Sequence, residues 1–144
     1  MARIIQKFGG TSVANIERIK KAAQLAKMEY DAGNQVVVVV SAMAGVTNQL
    51  VDYVNQINGI LDPEEYDVVV STGEQSNAGL MALAIKELGI KSRSWLGWQI
   101  PIQTDAIHEK ARIINVNIEE LEKCLSDGNI AVVPGFQGIS PDNR

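Results

Sequence analysis

Six consecutive residues, Gln35-Val36-Val37-Val38-Val39-Val40, constrain this chain more than any others. The run is β-branched and shows no polar alternation, the pattern of a strand buried on both faces. Such a strand needs cover above and below, as in a parallel sheet packed between helices. A shorter apolar run, Ile4-Ile5, comes before it. Between the two, Ile16, Ile19, Ala23, Ala26 and Tyr30 fall on one helical face in a pattern beginning near Val13. Ser12 or Asn15 can cap that helix, and Gly33 lies just past its end. Strand, helix and strand make one crossover unit.

The alternation continues along the chain. Leu50, Val51, Val54 and Ile57 give a second apolar stripe, with Thr47 or Asn48 as its cap and Asn58-Gly59 as its end. Asp62-Pro63-Glu64-Glu65 is a helix start, with a capping Asp, proline at the first position and acids in the first turn. Asp67-Val68-Val69-Val70 nevertheless has the local preference of a strand, and the two readings stay open. Leu80, Met81, Ala84, Ile85 and Leu88 return to helical spacing and close at Gly89, which puts Glu74 near a helix beginning. Lys91 to Leu96 reads as a strand, Trp98 to Asp105 as a loop or short hairpin, and Ala111 to Val116 as a strand. Asn117 to Glu120 caps a helix carrying Leu121, Cys124 and Leu125. Asn129 to Val133 is a last buried-type strand. The expected class is α/β, a mostly parallel sheet sandwiched between helix layers, within one domain over 1–144.

Composition narrows the function. The chain has 144 residues, 46% hydrophobic and 21% charged, a soluble globular balance. A net charge of −4 argues against a nucleic-acid surface. Val36 to Val40 is too short to span a bilayer. Cys124, the single cysteine, fits a reducing compartment as a core thiol, and Met1-Ala2-Arg3 leads into a strand with no signal peptide, so a cytoplasmic location is expected. His108 is the only histidine and reads as a surface residue; no metal site is expected.

Three loops carry candidate chemistry. Lys7-Phe8-Gly9-Gly10-Thr11-Ser12 joins a strand to a helix, so it offers backbone N–H groups and a lysine to an anion. It is no Walker loop, since the lysine precedes the glycines. Ser41-Ala42-Met43-Ala44-Gly45-Val46-Thr47-Asn48 lies beyond the carboxyl end of the valine strand, where open α/β sheets bind ligands. Ser71-Thr72-Gly73-Glu74 offers a carboxylate that could receive an ammonium group.

K-F-G-G-T-S, S-A-M-A-G-V-T and S-T-G-E, with V-P-G-F-Q-G after the last strand, together resemble the aspartokinases of the amino-acid kinase superfamily. The resemblance runs along essentially all 144 residues. It implies transfer of the γ-phosphoryl group of ATP, carried with Mg2+, to the β-carboxylate of L-aspartate. On that resemblance Lys7 bridges the transferring phosphoryl group. Phe8, Gly9 and Gly10 meet the phosphates, Ser41 sits between substrate and phosphates, Thr47 contacts aspartate, and Glu74 receives its α-ammonium group.

Family members continue beyond this length. The expectation is therefore an amino-terminal, aspartate-binding part without the nucleotide-binding half or regulatory domains. It would be inactive alone, and homo-oligomeric or associated with the missing half through an uncovered edge at Ile130 to Val133. Two other readings stand beside it. One is a non-catalytic amino-acid-binding or partner-binding half of a split or degraded kinase. The other is an unrelated doubly wound domain holding a phosphorylated ligand at the first glycine turn, with no dependence on Thr47 or Glu74.

Overall fold

A computed structural model of the chain describes residues 1–57 and 62–144. In chain order the elements are β1 (Arg3–Phe8), α1 (Ile16–Asp31), β2 (Gln35–Val40), α2 (Val46–Gln56) and α3 (Pro63–Glu87). They continue with β3 (Ser92–Ser94), β4 (Ile102–Thr104), β5 (Ile113–Val116), α4 (Glu119–Ser126) and β6 (Ile130–Pro134). Four strands form a parallel sheet in the order β1-β2-β6-β3. Strands β4 and β5 pair antiparallel as a separate hairpin. The α/β class read from the alternation is the one that forms.

The valine run is covered on both sides. Val36, Val38 and Val40, with Ile130 and Val132, face Ile19 and Ala23 of α1 and Met81 and Ile85 of α3. Val37 and Ala131 point the other way, against Trp95, Ile100, Cys124 and Leu125. Successive strand residues alternate between faces, so only an unbroken apolar run satisfies two dry layers at once. The same reasoning corrects the expected edge at Ile130 to Val133. Strand β6 lies inside the sheet between β2 and β3, where both its apolar faces are buried. The edges are β1 and β3. Strand β1 carries Arg3, Ile5 and Lys7 exposed on one face, a composition that tolerates an edge.

Local chemistry sets where the helices begin. Asn15, not Ser12, caps α1, its Oδ1 accepting from Arg18 N at 2.9 Å, so the helix starts three residues after the buried Val13. Gly33 ends it at a φ of 83°. Gly45, at a φ of 84°, precedes α2, which leaves Thr47 and Asn48 inside the first turn rather than capping it. The end expected for α2 at Asn58-Gly59 lies outside the described residues.

Asp67 to Val70 is helical. Asp62 Oδ1 accepts from Glu64 N at 3.0 Å and Glu65 N at 3.2 Å, and Pro63 occupies the first position. Three valines cost a helix only tenths of a kcal/mol each (up to about 0.7) relative to alanine. The burial of Val70, Ala78, Met81, Ala82 and Ile85 along the same face outweighs that preference. The result is one helix of 25 residues, and Glu74 is at its middle, not its beginning. Among the described residues no helix is long and apolar enough to cross a membrane.

Met81 is fully buried whereas its helix neighbour Leu83 is largely exposed. Met81→Ala should lower stability by about 2–5 kcal/mol and Leu83→Ala by no more than about 0.5 kcal/mol, read from denaturant midpoints.

Candidate active site

The carboxyl ends of β1, β2 and β6 are aligned by main-chain bonds that continue the ladder past each strand. Ser41 N donates to Phe8 O at 3.1 Å, and Gly135 N donates to Val40 O at 3.0 Å. The three connections that leave these strand ends therefore start side by side. The first turns at Gly9, whose carbonyl accepts from Ser12 N at 2.9 Å. A Cβ on Gly10 would stand 3.0 Å from Ala42 O, so the first two loops touch backbone to backbone. That contact is a reason for glycine at position 10 independent of any ligand.

Helix α3 lies across these ends. A Cβ on Gly73 would meet Val46 Cγ1 at 3.1 Å and both Ala42 Cβ and Leu50 Cδ1 at 3.2 Å. The absent side chain lets α3 approach the second loop and the first two turns of α2. One residue on, the Glu74 carboxylate reaches the end of β6, where a Cβ on Gly135 would fall 2.5 Å from Glu74 Oε2. That oxygen is buried and accepts no hydrogen bond. Burial pushes the Glu74 carboxyl above the ordinary glutamate range, while the Ala42 main chain and the Lys7 charge pull it back toward ionisation. A half-buried carboxylate with an orphaned oxygen is a ready acceptor for a cationic donor.

Lys7, Phe8, Gly9, Gly10, Ser41 and Glu74 thus gather at one place, drawn from two strand ends and the middle of a helix. Lys7 is exposed at the end of β1, and Thr47 stands exposed in the first turn of α2. Among the described residues Thr47 makes no hydrogen bond to the others. It is tied to them through Val46, its neighbour, which packs on Gly73.

Sequence reasoning passed over three contributors: Gly73 as a packing residue, Gly135, and Asn77. Asn77 is 1% exposed and donates from Nδ2 to Ser41 O at 2.6 Å. The available signal was its position, a polar residue one turn after Gly73 on the face that carries Met81. Reading Glu74 as a helix start hid that face.

His108 also differs from expectation. Its side chain is only 15% exposed, and Nδ1 stands 2.9 Å from Asp67 Oδ2, which accepts from Glu109 N as well. This pair fastens the turn between β4 and β5 to α3. A cavity of about 550 Å³ lies there, lined among others by Asp67, Ser71, Gln75, His108, Phe136 and Gln137. It contains none of Lys7, Ser41, Thr47 and Glu74. The strand-end cluster has the charged and main-chain groups for chemistry, and the cavity is its neighbour.

Residues 2–144 match the model of the amino acid kinase family. The chain belongs to the amino acid kinase family. It is similar to an aspartokinase of Rickettsia conorii, 54% identical over the whole chain and 37% of that protein. It is likewise similar to an aspartokinase of Geobacillus stearothermophilus, 45% identical over 97% of the chain and 34% of that protein. The chain therefore spans little more than a third of these relatives. Among solved structures, aspartate kinase from Synechocystis superposes with a TM-score of 0.79 at 41% identity, covering 94% of this chain and 22% of that one. Aspartokinase III of E. coli, in complex with aspartate and ADP, superposes with a TM-score of 0.82 at 21% identity. It covers 100% of this chain and 42% of that one, and at that identity the likeness is one of fold.

In this family member Gly135→Ala should displace the Glu74 carboxylate, a movable side chain, rather than unfold the sheet. The expected outcome is a thermal midpoint within about 3 °C of the parent, corresponding to a change of under about 1 kcal/mol. The Glu74 carboxyl resonance should also titrate at a changed pH, followed by NMR.

Proposed function

We propose that this chain is the amino-terminal, aspartate-binding part of an aspartokinase, which transfers the γ-phosphoryl group of ATP to the β-carboxylate of L-aspartate. The observation that carries the reading is the meeting of an exposed lysine, a double-glycine turn and a half-buried carboxylate with one unpartnered oxygen at adjacent strand ends. The first two suit a polyphosphate and the third suits an α-ammonium group, so the cluster is chemically divided between two substrates. The aspartokinase names of relatives 45–54% identical support the same reading.

In the proposed reaction an oxygen of the substrate β-carboxylate attacks the γ-phosphorus. The bond from phosphorus to the β,γ-bridging oxygen breaks, leaving ADP and an acyl phosphate. A carboxylate is already ionised at neutral pH, so no general base is needed. The protein's contribution is positioning and charge neutralisation. Lys7 balances charge on the transferring group, and the N–H groups of Gly9 and Gly10 line the phosphate side next to Phe8. Ser41 stands at the junction, Thr47 borders the amino acid, and Glu74 takes its ammonium.

Mg2+ would accompany the nucleotide. Among the described residues no three His, Cys, Asp or Glu side chains gather to hold a metal ion, and no step is assigned to it. The rest of the protein would supply the nucleotide-binding half and cover the open face of β1, where Ile5 is 67% exposed. A cytoplasmic location suits that reaction and the single cysteine of the chain.

The reading is tested by trapping acyl phosphate with hydroxylamine in the complete protein. Lys7→Met should lower kcat at least about a hundredfold with far smaller changes in KM. A variant with near-normal kcat would remove Lys7 from this role.

Glu74→Gln keeps size and removes charge. Aspartate KM should rise about ten- to a hundredfold, with ATP KM unchanged, for the loss of a charge-assisted contact. Because the Glu74 carboxyl is held above its usual range, aspartate KM in the parent should climb on acidification before an ordinary glutamate would protonate. The Gln variant should lack that limb. A raised folded-state value also means that Glu74 favours folding at low pH, and that this contribution is lost as pH rises through it. Glu74→Gln should accordingly leave the melting temperature at pH 7 unchanged or raised, measured by scanning calorimetry.

A further inference from the structure

We propose that Asn77 is a positioning residue for the amino-acid site, holding the Ser41–Ala42 peptide in the orientation that substrate binding requires. The inference rests on the aspartokinase reading for the identity of the substrate, but its structural part does not.

Helix α3 holds the Ser41–Ala42 peptide by its carbonyl: Asn77 Nδ2 donates to Ser41 O at 2.6 Å. The Ala42 main chain also favours the charged form of the Glu74 carboxyl. Residues 74 and 77 are one helical turn apart, so both side chains are carried to this loop by one rigid element. The Asn77 amide orientation follows from its partner: turned over, it would set two carbonyl oxygens against each other.

Three features separate this contact from ordinary packing. Asn77 is the one amide-bearing side chain on a face otherwise made of Gly73, Ala78, Met81, Ala82 and Ile85. Its Oδ1 is buried and accepts no hydrogen bond, so it carries an unmet polar group in the core. An alanine or leucine there would incur no such penalty. The donor is directed at the loop bearing Ser41, and the carbonyl of the next peptide, Ala42 O, lies close against Gly10. Rotation of the held peptide would turn the Ala42 N–H and shift the Ala42 carbonyl that packs on the first glycine turn.

The test uses the complete protein with Asn77→Ala, which removes the donor, and Asn77→Ser, which restores a shorter one. Hydrogen exchange followed by mass spectrometry over Val40 to Gly45 reports the grip whether or not the protein is active. Exchange there should quicken at least tenfold in Asn77→Ala and return toward the parent in Asn77→Ser. Hydroxylamine trapping should show aspartate KM raised about tenfold or more in Asn77→Ala, ATP KM unchanged, and partial recovery in Asn77→Ser. Unchanged exchange in Asn77→Ala overturns the grip. Faster exchange with unaltered aspartate KM overturns the positioning role. A parent protein that makes no acyl phosphate from aspartate defeats the kinase reading instead, and the exchange arm still decides the grip.

Discussion

The approach of α3 to the carboxyl ends of β2 and β6 is the contact on which the rest of the site depends. It is possible because Gly73 has no side chain: a Cβ there would press on Ala42, Val46 and Leu50 at once. With that gap closed, the next residue projects its carboxylate over Gly135, and the residue four positions after Gly73 reaches the Ser41 carbonyl. A bulkier residue at 73 would push the helix outward and take both groups with it. Close packing thus sets the chemistry, since interiors packed at crystal-like density have little slack to absorb such a shift.

That geometry produces an electrostatic arrangement with two poles. Lys7 and the main-chain donors of the first turn favour negative charge at the end of β1. Glu74 favours positive charge a short distance away, and its carboxylate stays partly desolvated between β6 and the second loop. A zwitterionic amino acid whose side-chain carboxylate meets a polyphosphate is matched by such a division. An unrelated phosphate-binding domain would need the first pole alone. The non-catalytic reading would keep Glu74 and have no use for Lys7.

The hairpin of β4 and β5 belongs to a different level of the structure. It pairs outside the main sheet and is tied back by the His108–Asp67 pair and the bridge between Gln103 and Ile139. Its strand β5 is exposed throughout. The hairpin walls the cavity next to the strand-end cluster, so α3 serves two surfaces: its first turns face the hairpin and its middle faces the loop that follows β2.

Much of this was legible in the residues. The valine run called for a strand covered on both faces, as in a parallel sheet between helix layers, because successive side chains of a strand point to opposite faces and all of these are apolar. The glycine turn after β1, the small-residue loop after β2 and the acid of S-T-G-E could be singled out, since each is a local signal of backbone freedom or charge. Tertiary structure decided the rest. Local preference left Asp67 to Val70 open between strand and helix, and burial of the α3 face against β2 and β6 resolved it. The place of β6 inside the sheet depended on strand order, which pairs residues nearly a hundred positions apart. The role of Asn77 depended on the same long-range packing. In sequence it is one polar residue in a helix, and it acquires a partner only when α3 comes to rest on the loop that follows β2.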